Sequence, residues 1–166
     1  MANCCNTNFI EIQDFYGITN LSENVDATNL AIAIRETQIK YIKPLFCTEL
    51  YDELSTQVDS DSLTTVNAEL MCYIKDIQVR YAFADFLRIQ PIRITKESVV
   101  RKVSNESEFV SFEENANLAK WWRDQASNYI KPLRDFMDLN VDLNPLYKDC
   151  TDCSANADDD FDWGIC

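Results

Sequence analysis

The stretch VNAELMCYIKDIQVRYAFADFL, residues 66–87, decides the fold of this chain. Its apolar residues recur at spacings of three and four, and further apolar residues widen the stripe that they form. The stripe consists of Val66, Leu70, Tyr73, Ile74, Ile77, Tyr81 and Ala84, and it is widened by Met71, Ala82, Phe86 and Ile89. A helix that is apolar over so much of its circumference needs partners on several sides, so we predict that this stretch is the central helix of a bundle.

The chain before residue 66 predicts two of those partners. Apolar residues at helical spacing and a capping residue, Asp26, predict a first helix over Asp26–Lys43. Pro44 restricts the residue before it and suits the first turn of a helix, so a second helix is expected to begin there. The polar stretch Ser55–Thr65 is rich in turn and capping residues and is predicted to be a loop.

The chain after Pro91 changes character. IRITKESVVRKVS, residues 92–104, has β-branched residues in near alternation around a polar Lys96-Glu97 turn, which is typical of a β-hairpin. Ser111 and Glu114 then form a predicted capping box at the start of the last long helix. The apolar stripe of that helix is Leu118, Ala119, Trp122, Ala126, Tyr129, Ile130, Leu133, Phe136 and Met137.

The predicted fold class is therefore mainly α: a small helical bundle of about four helices with an inserted β-hairpin and extended N- and C-terminal arms. The arms would be residues 1–25 and the acidic tail 146–166, and the bundle would be residues 26–145 with its β insertion near 91–110. A chain of 166 residues is long enough to bury a core of its own.

The string YIKPL occurs at residues 41–45 and again at residues 129–133. The residues on either side of the two copies do not correspond, so an internal duplication is not supported. Each copy places Tyr, Ile and Leu on a helix beside a proline that bends or restarts it. We interpret the repeat as a kink used twice, with a shared binding motif as the alternative.

Composition excludes several functions. The chain has no histidine and no Gly-rich phosphate or nucleophile motif, so we predict that it is not an enzyme. Its net charge of -13, from 28 acidic and 15 basic residues, disfavours binding to nucleic acid. No apolar run approaches the roughly 18 residues of a membrane span, and the N-terminus lacks signal-peptide character. We therefore expect a soluble protein of the cytoplasm with no membrane partner.

Two metal hypotheses stay open as alternatives to a protein without metal or cofactor. Cys150 and Cys153 form a CxxC pair that could bind zinc with Cys4, Cys5 and Cys166, although reduced thiols are the simpler interpretation. The acids Glu49, Asp52 and Glu53 fall within about one helical turn and could hold the metal of a hydrolase. A solvent-exposed helix face is the ordinary explanation of such a group.

The acidic tail interleaves acids with aromatic residues. In NADDDFDWG, residues 156–164, Phe161 and Trp163 alternate with aspartates, which is the pattern of a peptide that lays aromatic anchors into a groove of another surface. A solvated tail is the alternative. The spacing does not fit a calcium loop of the EF-hand kind, which requires a glycine at position six and a glutamate at position twelve.

The order of these elements resembles that of the head-tail connector proteins of tailed bacteriophages, also called adaptor or neck ring proteins. The resemblance covers Phe9–Leu139, and its most specific parts are IKPLFCTELYDEL, residues 42–54, and VVRKVSNES, residues 99–107. It is strongest to the connectors of crAss-like phages that infect Bacteroides-type hosts. The tail after Leu146 does not match this pattern.

The resemblance implies a virion structural protein without catalysis, assembled in the host cytoplasm. It would form a ring, commonly a dodecamer, at the portal vertex, join the portal protein to other neck or tail proteins, and let genomic DNA pass. A lumen lined by carboxylates would not retain that DNA. The interface residues expected in such a ring are Ile92, Ile94, Val99, Val100 and Val103 of the hairpin and Phe161 and Trp163 of the tail.

Two alternatives accompany this interpretation. The hairpin could fold over its own bundle rather than reach a neighbouring subunit. The whole protein could instead be an acidic binding module or inhibitor that mimics nucleic acid toward a basic protein partner.

Overall fold

The predicted central stretch forms α3 (Thr65–Ile89) in the computed structural model, which describes residues 7–21, 25–89, 92–94, 99–101 and 111–148. The residues Ile77–Val79 and Tyr81–Ala84 are all buried, and Arg80 between them is partly buried, so the helix is covered on nearly all sides there. The prediction of a central helix is confirmed. The other helices are α1 (Ala27–Thr37), α2 (Thr48–Asp59), α4 (Phe112–Asn128) and α5 (Ile130–Leu139).

Two clusters of apolar side chains hold the bundle together along α3. In the first, α1 and α4 pack on α3, with Leu30, Phe83 and Phe86 buried and Trp122 packed against them. In the second, α2 and α5 close over the other part of α3; its fully buried members include Leu50, Leu54, Leu70, Ile74 and Ile77. Each such side chain contributes about 1.5–3 kcal/mol when it leaves water, so the two clusters are the main source of stability.

Both copies of YIKPL interrupt a helix. The first lies where α1 passes through a π turn (Gln38–Ile42) into a 3-10 turn (Lys43–Leu45). The second lies at Tyr129, where α4 ends and α5 begins. Proline lacks the amide hydrogen that a continuing helix needs, which is the physical reason for both interruptions. The interpretation of the repeat as a kink is confirmed.

The predicted helix boundaries need three corrections. The second helix begins at Thr48 and not at Pro44, because Pro44 lies in the 3-10 turn that precedes it. The α-helical part of the first helix ends at Thr37, since the backbone is wound as a π turn as far as Ile42. The predicted loop Ser55–Thr65 is also wrong, because α2 continues to Asp59. The hydroxyl groups of Ser55 and Thr56 donate to backbone carbonyls four residues earlier, at 2.8 Å each, and so remain within the helix.

The β insertion near residues 91–110 also needs correction. Its described residues form only β1 (Ile92–Ile94) and β2 (Val99–Arg101), which pair antiparallel with each other, and the described chain adds no third strand. Strands of three residues in a two-stranded ribbon are too short to be stable by themselves. The bundle is built from helices alone, so the prediction of a β-hairpin as part of the fold is wrong.

The extended N-terminal arm of the predicted fold is not extended in its described part. Its residues form a 3-10 turn (Ile12–Phe15), and Phe9, Ile10 and Phe15 are buried in the two clusters. Fully burying three such side chains ties this segment to the bundle. At the other end of the chain, Tyr147 is fully buried as well, so the folded body extends at least to that residue.

Within the described ranges, no helix combines the length and the apolar character that crossing a bilayer requires.

Candidate interaction surfaces

The outer side of α4 carries large apolar side chains that no described part of the chain covers. Leu118 and Trp121 lie one turn apart and are 43% and 51% exposed. Glu113, Glu114 and Asp124 lie on the same side of the helix and are also exposed. We call these five residues the α4 face. An exposed tryptophan surrounded by charged groups is typical of a surface that binds another protein.

The ring of Trp121 in the α4 face packs on other aromatic side chains. It meets Trp122 edge to face with centroids 4.9 Å apart, and Trp122 meets Phe83 in the same way at 5.1 Å. Beside them, Arg123 forms an ion pair with Asp85 of α3. Because the aromatic stack continues into the core, Trp121 would lose little conformational entropy on binding a partner.

The outer side of α1 and the turns after it form a second surface of this kind. Ile32 and Ile39 lie seven residues apart, on one side of the helix, and are 47% and 49% exposed. Arg35, Lys40 and Lys43 are exposed around them. We call these five residues the α1 face. The ammonium groups of its two lysines stand over the rings of neighbouring tyrosines, 4.9 and 5.4 Å from the ring centroids, which fixes their positions on the surface.

The two faces carry opposite charge. The α1 face has three basic residues, and Glu36, which lies one turn from both Ile32 and Ile39, is an exposed acid on the same side of the helix. The α4 face has three acidic residues, and Lys120 is the exposed base beside it. Most of the exposed charged side chains at the α1 face are therefore basic, and most of those at the α4 face are acidic. The side chain of Glu114 is held by the Ser111 backbone amide, which lowers the pKa of Glu114 and keeps it ionised.

A buried glutamine, Gln38, attaches the N-terminal segment to the bundle. Its side-chain oxygen accepts from the amide of Phe9 at 2.9 Å, and its side-chain nitrogen donates to the carbonyl of Thr7 at 2.7 Å and to the hydroxyl of Tyr51 at 3.0 Å. Gln38 is the first residue of the π turn. The glutamine side chain supplies the hydrogen-bonding partners that a neighbouring strand would otherwise supply. These backbone groups of Thr7 and Phe9 are therefore paired.

A second buried amide, Asn67, joins α2, α3 and the C-terminal turn. Its side-chain nitrogen donates to Glu53 at 2.7 Å and to Gln57 at 2.9 Å. Its side-chain oxygen accepts from the hydroxyl of Tyr147 at 2.7 Å and from the amide of Asn144 at 3.3 Å. All four hydrogen-bonding positions of a fully buried asparagine are thus occupied, and the network holds the C-terminal turn against α2 and α3.

The same network changes the acidity of Tyr147. Burial raises the pKa of its phenol above the ordinary value of 10.0, and the nearby carboxylates of Glu53 and Glu69 raise this pKa further. The neutral phenol is therefore the form that the folded protein holds at physiological pH, as a donor to Asn67.

The structure places only part of the predicted interface. Ile92 and Ile94 lie in β1, Val99 and Val100 lie in β2, and Ile94 is the strand partner of Val99. Val103, Phe161 and Trp163 lie outside the described residues.

Sequence reasoning missed the two helical faces. It assigned Leu118 to the buried stripe of the last helix and gave no role to Trp121. The pair Trp121-Trp122 contained the missing signal, because adjacent residues of a helix point about 100° apart and cannot both face the centre of a narrow core.

The described residues form no candidate metal centre. Among them, no group of three or more potential metal ligands occurs. Glu49 and Asp52 are exposed, whereas Glu53 faces the Asn67 network and accepts from amides. The thiol of Cys47 donates to the carbonyl of Leu146 and that of Cys72 to the carbonyl of Ala68. The remaining cysteines, Cys4, Cys5, Cys150, Cys153 and Cys166, lie outside the described residues.

Comparison with known proteins identifies one family. The model of a family of unknown function, DUF6712, matches residues 42–157. The chain belongs to this family. The DUF6712 match begins at the end of the π turn and includes α2 to α5, the α4 face and the whole Asn67 network. No curated protein and no solved structure matches the chain significantly.

Proposed function

We propose that this DUF6712 protein is a structural subunit of a tailed-phage virion. It would assemble into a ring, of about twelve copies in the resembling proteins, at the portal vertex and connect the portal protein to neck or tail proteins. The observation that supports this proposal is the pair of exposed apolar faces on α1 and α4. A subunit with two different apolar interaction surfaces can bind one neighbouring copy on each side. Such contacts close into a ring when the rotation between copies allows it.

The chemistry of the described surface supports a structural role over a catalytic one. Stable protein interfaces have apolar and aromatic residues at the centre and charged residues at the rim. The α4 face has this composition, with Leu118 and Trp121 at its centre and carboxylates around them.

The charge of the chain suits a conduit for DNA. At -13, the protein repels the phosphate backbone, so a ring of such subunits would not hold the genome as it passes. Genomic DNA would thus be a passing cargo, whereas the portal protein and the adjacent neck proteins would be the binding partners.

The test is sedimentation of the purified full-length chain, alone and mixed with purified phage heads that display their portal. We expect saturable binding at one site per head, with about twelve copies bound. Heads without a portal vertex are the control for nonspecific adsorption. The variant Trp121→Gln, which removes an exposed ring and leaves the core contacts of Trp122 in place, should bind about tenfold or more weakly.

Two results would contradict the proposal. One is equal binding to heads with and without the portal. The other is a persistent monomer that ignores the heads and instead forms a stable complex with a basic protein of the infected cell, which is the behaviour of an acidic mimic of nucleic acid.

A further inference from the structure

We infer that the α4 face of one copy docks on the α1 face of the next copy. This inference rests on the proposed self-assembly and specifies the contact that makes it. The occupant of each face is thus a second copy of this chain, in a head-to-tail arrangement that uses two different surfaces.

Charge selects this pairing over the symmetric ones. Two α4 faces brought together would oppose two clusters of three carboxylates, and two α1 faces would oppose two clusters of three cations. Like charges placed across an interface are strongly unfavourable. The α1 face carries mainly basic side chains and the α4 face mainly acidic ones, so the mixed pairing brings opposite charges together.

The apolar residues of the two faces are also suited to each other. Ile32 and Ile39 are separated by seven residues, which is about 10 Å along a helix. That distance leaves room between them for an aromatic side chain. Trp121 is half exposed, and its ring packs against that of Trp122. Arg35 lies in the same interval and can stack on an indole ring.

The described part of the chain leaves both faces accessible. Each of the four central apolar side chains, Ile32, Ile39, Leu118 and Trp121, is at least 43% exposed. Their neighbours on the inner sides of the same helices are fully buried, for example Ala33 and Ala119. The exposed apolar side chains therefore stand on helices whose opposite sides are packed in the core, as is typical of the anchor residues of an interface.

The experiment exchanges the charge of each face. Lys40→Glu with Lys43→Glu makes the α1 face acidic, and Glu113→Lys with Asp124→Lys makes the α4 face basic. Self-association of full-length chains is measured by sedimentation velocity over a concentration series, alone and on portal-bearing heads. The controls make the same charge changes on α5, with Lys131→Glu and Arg134→Glu in one variant and Asp135→Lys and Asp138→Lys in the other.

We expect each reversed variant alone to associate about tenfold or more weakly than the natural chain. An equimolar mixture of the two should assemble again, because the acidic α1 face of one then meets the basic α4 face of the other, and the two unchanged faces also match. A single chain with both reversals should likewise assemble. The α5 controls should associate as the natural chain does.

Failure of the inference is distinguishable from failure of the proposed function. If rings form on portals but neither reversal weakens them, or if the mixture does not recover, the pairing is overturned and the structural role stands. If association follows the reversal pattern but no variant binds heads, the pairing stands and the portal assignment is overturned. A natural chain that stays monomeric both alone and with heads would overturn both.

Discussion

Replacing the buried Asn67 by alanine tests whether its hydrogen bonds hold the C-terminal turn to α2 and α3. The substitution removes the side-chain donor to Glu53 and Gln57 and the acceptor for Tyr147 and Asn144. The buried hydroxyl of Tyr147 would then have no partner in the network. The apolar packing around position 67 changes little by comparison, because the side chain removed is small.

The expected loss of stability follows from these contacts. A hydrogen bond to a charged acceptor such as Glu53 contributes about 1.5–3 kcal/mol, and a neutral hydrogen bond such as that from Tyr147 contributes about 1 kcal/mol. Leaving the buried phenol unsatisfied costs about 1–3 kcal/mol, which partly overlaps with the lost bond. We expect Asn67→Ala to lower the free energy of unfolding by about 3–5 kcal/mol. For a chain of this size the melting temperature would fall by about 6–20 °C.

The measurement is urea unfolding of the full-length chain at pH 7, followed by circular dichroism, for the natural protein, Asn67→Ala, Tyr147→Phe and the double variant. Because the two side chains share a 2.7 Å hydrogen bond, the double variant should be more stable than the sum of the single losses predicts, by about 1 kcal/mol or more. Asn128→Ala, at an exposed position of α4, is the control and should change stability by less than about 0.5 kcal/mol.

A loss below about 1 kcal/mol for Asn67→Ala would contradict this prediction, since a network that costs so little to break does not hold the C-terminal turn to the bundle. Strict additivity of the two substitutions would also refute it, because it would show that Asn67 and Tyr147 stabilise the protein independently.

Three further predictions follow from single contacts. Gln38→Leu should leave the buried amide of Phe9 without its acceptor, and we expect that amide to exchange with solvent at least tenfold faster by hydrogen-exchange NMR. Glu114 has a folded-state pKa below its ordinary 4.5, so its charge stabilises the fold above that pH and stops doing so as the pH falls through the folded pKa. The stability advantage of the natural chain over Glu114→Gln should therefore disappear in acid, and an advantage that is constant from pH 7 to pH 3 would contradict this assignment. Tyr147 has a folded-state pKa above 10.0, so its contribution is complete below pH 10 and is lost as the pH rises further; Tyr147→Phe should flatten the alkaline decrease in the melting temperature.

The parts of the fold that local sequence controls could be predicted. The periodicity of residues 66–87 predicted the central position of α3 correctly, because a helix that is apolar on most sides must be surrounded by other helices to be shielded from water. The N-cap at Asp26 and the capping box of Ser111 and Glu114 were predicted correctly, since each depends on side chains within one turn of the backbone that they cap.

The parts that tertiary contacts control could not be predicted. The π turn at Gln38 depends on partners at Thr7 and Phe9, about thirty residues away, which no local pattern reveals. The β-branched residues after Pro91 have strand propensity, but that propensity reflects packing that a two-stranded ribbon does not supply. The exposure of Leu118 depends on which side of α4 meets α3, and the apolar stripe was too broad to decide that.

The Asn67 network also sets an order of events during synthesis. The partners of Asn67 on α2 emerge from the ribosome just before it, whereas Asn144 and Tyr147 follow it by 77 and 80 residues. Until those last residues are made, the nascent bundle contains an amide whose acceptor side has no partner from the C-terminal turn. A chain that ends before Tyr147 lacks these contacts, so the cell's proteases would encounter it in a more open form than the full chain. The contact between Asn67 and Tyr147 can thus form only after the chain has been synthesised at least as far as residue 147.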